Sequence, residues 1–83
     1  MKQMPTREQV EAAYGEIQKN LRENTTDLTQ QELAEKAGTS IDYISRLECA
    51  NRCPNLFYFI RISLALDVDP VLAISMVMRR LGL

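Results

Sequence analysis

Apolar side chains recur along the chain at the three- and four-residue spacing of amphipathic helices, and no stretch alternates in the manner of a strand. Val10, Tyr14, Ile17 and Leu21 form one such stripe near the N-terminus. Groups of Gly, Pro, Ser, Thr, Asn and Asp separate five segments of this kind. The predicted helices span about 6–24, 30–37, 41–49, 56–66 and 70–81. The pattern predicts an all-α fold with a long first helix.

The second and third predicted helices carry the clearest local signals. Thr29 with Glu32 matches the capping box, in which the two side chains satisfy free backbone amides reciprocally. Gly38 tolerates the left-handed backbone that ends a helix sharply, and Ser40 can cap the next helix. Residues 29–49 are therefore predicted to form two short helices joined by a tight glycine turn.

Several short motifs lie in and after this region. They are LTQQELA at 28–34, AGTS at 37–40, YISRLE at 43–48, P-x-L at 54–56 and AL-x-V at 65–68. In this order and spacing they resemble the Cro/cI-type helix-turn-helix family, which is lambda-repressor-like and also known as XRE. The resemblance covers about residues 17–74. It implies a five-helix lambda-repressor-like DNA-binding domain over residues 1–83, with an extended N-terminal helix. The alternative is a plain five-helix bundle with a chance glycine turn.

The third helix is the expected recognition helix. Ile44 and Leu47 pin it from below, so the other face can enter the major groove, where base edges are distinguishable. The resemblance implies that this face reads bases through Ile41, Asp42 and Arg46. Arginine can bind guanine in bidentate fashion, isoleucine can touch a thymine methyl, and aspartate can accept from a cytosine amino group. Asp42 can equally be an early-helix acid that interacts with the helix dipole.

The resemblance also implies contacts with the DNA backbone. The residues concerned are Gln30, Thr39, Ser40, Tyr43, Asn51 and Arg52. Gln30 has the alternative role of a second cap residue, Ser40 caps its helix with or without DNA, and Arg52 can be a solvated loop cation.

Arg22 and Glu48 correspond to a family pair that ties the first helix to the end of the third. We expect a structural salt bridge between them, with no part in base reading. The chain departs from the family pattern twice. The connection at residues 23–27 is about one residue longer than usual, and Ala50 replaces the common glycine after the recognition helix.

The fourth and fifth helices are apolar on more than one face. The family pattern turns one side of the fourth helix inward, namely Leu56, Phe59, Ile62, Ala65 and Leu66. A further stripe remains outside, and a helix that is apolar all round is normally buried all round. We therefore predict a two-fold homodimer through helices at about 56–81. The expected interface residues are Phe57, Ile60, Leu64, Val71, Leu72 and Met76. The alternative is a monomer whose long first helix folds over part of this surface.

Charge weakens the DNA-binding expectation without removing it. The 83 residues carry a formal net charge of −1, whereas phosphate neutralisation supplies much of the affinity of DNA-binding proteins. The leading hypothesis is a transcriptional repressor that binds a palindromic operator in double-stranded DNA. The alternative is a protein-interaction module on the same fold, such as an antitoxin or adaptor with a protein partner.

Other classes of function find little support in the sequence. The chain has no histidine, and its two cysteines, Cys49 and Cys53, are too few for the roughly four ligands of a zinc site. We expect free thiols, no metal, no cofactor and no enzymatic activity. No apolar run approaches the roughly 20 residues that span a bilayer, and the N-terminus has no signal-peptide core. The expected location is the cytoplasm.

Overall fold

The computed structural model describes residues 3–83 and consists of five helices, with no strand in that range. They are α1 (Arg7–Thr25), α2 (Gln30–Ala37), α3 (Ile41–Glu48), α4 (Leu56–Ala65) and α5 (Pro70–Arg80). The all-α prediction is confirmed. None of these five helices is both long enough and apolar enough to cross a membrane.

Every helix begins at a side chain that accepts a hydrogen bond from a backbone amide of the first turn. The N-cap residues are Thr6, Thr29, Ser40, Asn55 and Asp69. The two threonines complete reciprocal capping boxes with Gln9 and Glu32. Since an N-cap contributes about 1 kcal/mol, these short helices depend on their caps.

The core lies where all five helices meet. Its fully buried large side chains are Leu33, Ile44, Leu47 and Ile62, with Tyr14 and Val77 closing it from α1 and α5. Helix α2 packs on α3 and α4, and α1 packs on α3 and α5. Helix α3 is therefore held between α1 and α2, with its apolar side in the core.

Gly15 allows α1 to lie directly against the end of α3. A Cβ atom at this position would lie 2.5 Å from the carbonyl oxygen of Leu47 and 3.4 Å from the amide nitrogen of Ala50. No real side chain tolerates the shorter distance, so the absence of a side chain at Gly15 sets the spacing between the two helices. The cost of glycine inside a helix, up to about 1 kcal/mol, is offset by this close packing.

Helices α2 and α3 end in the same way with different residues. After α2, Gly38 has φ +77°, and the amide of Thr39 donates to the carbonyl of Ala34 at 2.9 Å. After α3, Ala50 has φ +61°, and the amide of Asn51 donates to the carbonyl of Arg46 at 3.0 Å. This is the Schellman arrangement, which favours glycine. The chain therefore leaves α3 through the same arrangement as α2, but with an alanine in a strained backbone conformation.

The prediction for one residue of α4 is wrong. Ile62, Ala65 and Leu66 are buried as expected and Phe59 is partly buried, but Leu56 is 74% exposed. Leu56 is the first residue of α4 and lines the rim of an apolar groove among α1, α4 and α5 instead of the core. Family periodicity describes the middle of a helix better than its first residue, where the neighbouring elements end.

Candidate nucleic-acid interface

Helix α3 has one fully buried face and one open face. Ile44 and Leu47 are 0% exposed, whereas Ile41, on the other side, is 46% exposed. The side chains of Asp42 and Arg46 are 71% and 57% exposed. The three residues expected to read bases therefore all lie on the solvent side of a helix whose opposite side is anchored in the core.

Two of these exposed residues form an ion pair. The Nε atom of Arg46 donates to the Oδ2 atom of Asp42 over 2.7 Å, one turn earlier in the helix. The pair uses the inner nitrogen of the guanidinium, and the terminal nitrogens have no partner among residues 3–83. Asp42 thus acts on Arg46 rather than merely on the helix dipole, and the outer edge of the guanidinium points away with its donors free.

The carboxylate of Glu48, at the end of α3, is the centre of a buried polar network. Arg22 binds it in bidentate fashion, with Nε 2.9 Å from Oε2 and Nη2 2.9 Å from Oε1. Gln30 donates to Oε1 at 3.0 Å, and Gln18 donates to Oε2 at 3.2 Å. The Glu48 side chain is only 2% exposed. Helices α1, α2 and α3 are therefore joined at one carboxylate.

This network also determines the ionisation of Glu48. Burial raises the pKa of the carboxyl, but the hydrogen bonds from Arg22, Gln30 and Gln18 and the charge of Arg22 lower it by more. The net effect is a pKa below the usual range, so Glu48 is charged at neutral pH. A buried charge whose hydrogen-bond partners are this numerous rigidifies the C-terminal end of α3.

Gln18 is the member of the network that sequence reasoning missed. It is 1% exposed and lies one turn before Arg22 on the same side of α1. An i,i+4 polar pair on the inner side of a helix was the available signal. Gln30, by contrast, is not a simple second cap residue, because Thr29 and Glu32 form the capping box and the Gln30 amide contacts Glu48.

The expected backbone-contacting residues lie at both ends of α3. At its beginning, Thr39 is half-buried and Ser40 accepts a hydrogen bond from the amide of Tyr43 at 3.1 Å. After its end, Asn51 and Arg52 are exposed. Polar groups therefore lie at both ends of α3.

Tyr43 links α3 to the following loop and to α4. Its ring centroid lies 5.2 Å from that of Tyr58, and the guanidinium carbon of Arg52 lies 6.0 Å from the ring of Tyr43. The aromatic face holds the arginine near the side of α3, within the range of a cation–π interaction.

Arg61 is a second residue that sequence reasoning did not single out. Its Nε donates to the carbonyl of Ala37 at 2.6 Å, at the end of α2, and its guanidinium lies 5.4 Å from the ring of Phe57. A Cβ atom at Gly38 would meet this guanidinium at 2.8 Å. The one cation in an otherwise apolar α4 was the signal, and its role is to fasten α4 to the turn before α3.

The comparisons with known proteins agree with this geometry. A helix-turn-helix family profile matches residues 18–72, which is more than half of the chain and includes α2, the turn and α3. The chain belongs to the helix-turn-helix family. The resemblance to lambda repressor and Cro is thereby confirmed, and the protein is a DNA-binding regulator of this type. No curated protein matches the chain.

The helix-turn-helix protein exposes much of the surface expected to form a dimer. Phe57, Leu64 and Val71 are 59%, 60% and 73% exposed. Ile60 and Leu72 are exposed as well, and Met76 is partly buried. These residues lie on the open sides of α4 and α5.

Beside this surface lies an apolar groove of about 510 Å³ between α1, α4 and α5. Val10 and Tyr14 of α1 form one wall, and Ile60, Val71 and Ile74 contribute to the others. The long first helix of the helix-turn-helix protein thus flanks α4 and α5 without covering their outer faces.

Cys49 and Cys53 are free thiols in this structure. Burial and the charge of Glu11 raise the pKa of Cys53 against the opposing charge of Arg7. A thiol with a raised pKa is a poor nucleophile and a poor metal ligand at neutral pH. In residues 3–83, no cluster of three or more His, Cys, Asp or Glu is arranged to hold a metal.

Proposed function

We propose that this helix-turn-helix protein is a sequence-specific transcriptional repressor that binds a palindromic operator as a homodimer in the cytoplasm. The observation that carries the proposal is the open face of α3, on which Ile41, Asp42 and Arg46 are solvent-exposed while the opposite face is anchored in the core. A rigidly held helix with one polar open face suits the major groove.

Base reading falls to the three exposed side chains. The free terminal nitrogens of Arg46 match the O6 and N7 acceptors of guanine, and the Ile41 side chain suits a thymine methyl. Asp42 orients Arg46 through the 2.7 Å hydrogen bond and remains able to accept from a cytosine amino group.

Register on the duplex comes from polar contacts with phosphates and sugars, which carry no sequence information themselves. The proposed contacts are Gln30, Thr39, Ser40, Tyr43, Asn51 and Arg52. Gln30 has two functions in this proposal, because its amide both supports Glu48 and lies at the start of α2, where backbone amides favour an anion.

Homodimerisation is supported by the exposed apolar sides of α4 and α5. A contiguous apolar surface of several hundred Å² marks an interaction site on a soluble protein. Two-fold pairing through these helices presents two recognition helices to successive major grooves, about 34 Å apart.

Selection of bound sequences from random duplex DNA tests the proposal directly. A palindromic consensus is expected, with half-site centres about one helical turn apart. If no sequence is enriched, the proposed base reading is contradicted. If a single asymmetric half-site is enriched, the proposed homodimer is contradicted.

A protein-interaction module is the second candidate, favoured by the groove of about 510 Å³ and the net charge of −1. In an antitoxin or adaptor of this kind, a partner protein binds in the groove. Light scattering separates the two candidates. The leading proposal expects a homodimer of the purified protein, and the alternative expects a monomer that becomes stable only with its partner.

A further inference from the structure

The recognition helix contributes little net charge to DNA binding. Arg46 and Asp42 neutralise each other on its open face, and the whole chain carries a net charge of −1. Duplex DNA nevertheless requires cations opposite its phosphates, because counterion release supplies most of the sequence-independent affinity. Those cations must therefore lie beside α3 rather than on it.

A polar groove of about 360 Å³ occupies such a position. Its polar and charged lining residues are Arg7, Glu11, Tyr43, Asn51, Arg52 and Asn55, beside Cys53. Three of these, Tyr43, Asn51 and Arg52, are proposed backbone contacts on other grounds. Arg7 and Glu11 come from the first two turns of α1, outside the residues that match the family. The extension of α1 thus reaches the side of the interface.

Neither arginine of this groove forms an ion pair within residues 3–83, although Glu11 lines the same groove. Within the described residues, ion pairs engage Arg22, Arg46 and Arg80 but neither Arg7 nor Arg52. Glu11 is the one acidic residue among those lining the groove, which therefore carries one net positive charge. Two arginines without an ion-pair partner in the described part of the sequence therefore line one groove beside α3 in a chain of net charge −1.

The backbone that carries Arg7 is fixed in place. Arg7 is the first residue of α1, where Thr6 caps the helix, and the positive end of the helix dipole adds to its charge. The close approach of Gly15 to Leu47 fixes α1 against the end of α3. A side chain that projects from a fixed helix has less backbone entropy to lose on binding than one on a flexible arm.

We propose that Arg7 is an additional DNA-binding residue, which with Arg52 holds a backbone phosphate of the duplex in this groove, flanking the bases read by α3. The inference rests on the proposed function and extends it to a part of the chain that the family match does not reach. The ligand is the phosphodiester anion, and the contact adds affinity without sequence preference.

The test measures affinity against salt concentration for the full chain, on the duplex obtained by selection and on an unrelated duplex. Arg7→Gln is compared with Lys19→Gln, which removes the same charge from an exposed position of α1 outside the groove. The slope of log K against log salt should become shallower by about 0.9 per subunit in Arg7→Gln and stay unchanged in Lys19→Gln. Both duplexes should be affected equally.

Glu11→Gln supplies a change of opposite sign, since removal of the acid from the groove should tighten binding to both duplexes. A purely structural role for this region predicts instead that neither variant changes the salt slope. If wild type binds DNA but Arg7→Gln and Lys19→Gln have the same slope, the Arg7 proposal is overturned and the proposed function stands. If wild type binds no duplex, both are overturned.

Discussion

Arg46 donates a hydrogen bond from Nε to Oδ2 of Asp42 over 2.7 Å, across one turn of the exposed side of α3. The bond fixes the guanidinium plane while its outer edge remains free. An arginine held in this way approaches guanine with less entropy to lose, whereas a free arginine pairs with any nearby phosphate. Asp42 is therefore expected to increase the preference for the operator over unrelated DNA. Its negative charge repels phosphates and lowers the affinity for any duplex.

Substitution of this pair should separate affinity from specificity. Arg46→Ala is expected to weaken operator binding roughly 5- to 150-fold and to relax preference at one base pair. Asp42→Asn is expected to raise the affinity for unrelated duplex and to reduce the ratio of operator affinity to unrelated-duplex affinity. Titrations of both duplexes provide the measurement, with Arg79→Ala, an exposed arginine of α5, as the control. An unchanged base preference in Arg46→Ala contradicts its role.

Gly15→Ala should destabilise the protein although alanine is the better helix former. The new Cβ would lie 2.5 Å from the Leu47 carbonyl oxygen, and overpacking of a rigid contact costs about 1–3 kcal/mol against a propensity gain of about 1 kcal/mol. Urea unfolding measures the difference. Ala12→Gly, at an exposed position of the same helix, calibrates the propensity alone. A more stable Gly15→Ala protein means that α1 and α3 are free to separate.

Ala50→Gly should stabilise the protein by about 0.5–1 kcal/mol. The left-handed backbone at φ +61° costs a non-glycine residue about 1–2 kcal/mol, which glycine relieves. Glycine also gives the unfolded chain more conformational entropy, and this offsets part of the stabilisation. Asp67→Gly is the comparison, because Asp67 has φ +60° and aspartate tolerates this conformation better. Thermal unfolding should therefore show a larger gain at position 50 than at position 67.

Glu48→Gln should destabilise the protein at neutral pH and less so in acid. The folded-state pKa of Glu48 lies below its ordinary value of 4.5, so its charge stabilises the fold above about pH 4.5, and this stabilisation is lost as pH falls through the folded pKa. The expected loss at pH 7 is about 2–3 kcal/mol. Unfolding free energies measured from pH 7 to pH 3 should converge for wild type and variant.

Glu23→Gln is the matched control for this measurement. Glu23 lies 3.7 Å from Arg22 with its side chain half exposed, and such pairs contribute less than about 1 kcal/mol. Its effect should therefore be small at every pH. A Glu48→Gln penalty that does not vary with pH means that the charge of Glu48 is irrelevant and only its shape matters.

The paired substitution of Leu64 and Val71 by glutamine should yield a monomer. Both side chains are more than half exposed, so the fold should tolerate the change while a subunit contact loses apolar area. Sedimentation equilibrium reports the association state. Met4→Gln, at an 86% exposed methionine before α1, controls for the loss of surface hydrophobicity. The variant should bind palindromic duplex more weakly than wild type and a single half-site with the same affinity. If the variant is still a dimer, the subunit interface lies elsewhere.

The features predictable from sequence are those determined by neighbours in the chain. Thr29 with Glu32 forms a local capping box, and Gly38 ends α2 in the left-handed conformation. The five helices follow from such signals and from periodicity, whereas the helix-turn-helix identity came from the resemblance of the motifs at 28–48 and 54–68 to a known family. The Arg22–Glu48 pair came from family resemblance, since no local pattern joins residues in different helices.

The remainder depends on how helices meet, which periodicity does not encode. Gln18 and Arg61 stand out within their own helices, but their partners lie 30 and 24 positions away, so the local signal does not identify what they contact. Leu56 has the composition of a core residue but lies at a helix end, where no neighbouring element continues over it. The groove around Arg7 likewise exists only because α1 passes the loop after α3.

The position of Arg61 has a mechanical consequence for a paired protein. One side chain touches both the ring of Phe57, on the outer side of α4, and the last carbonyl of α2. A second subunit that packed on Phe57 would contact the guanidinium that holds the turn between α2 and α3. The separation of the two α3 helices would then be set by a rigid contact rather than by a flexible linker. An operator with altered half-site spacing would have to bend or twist to fit.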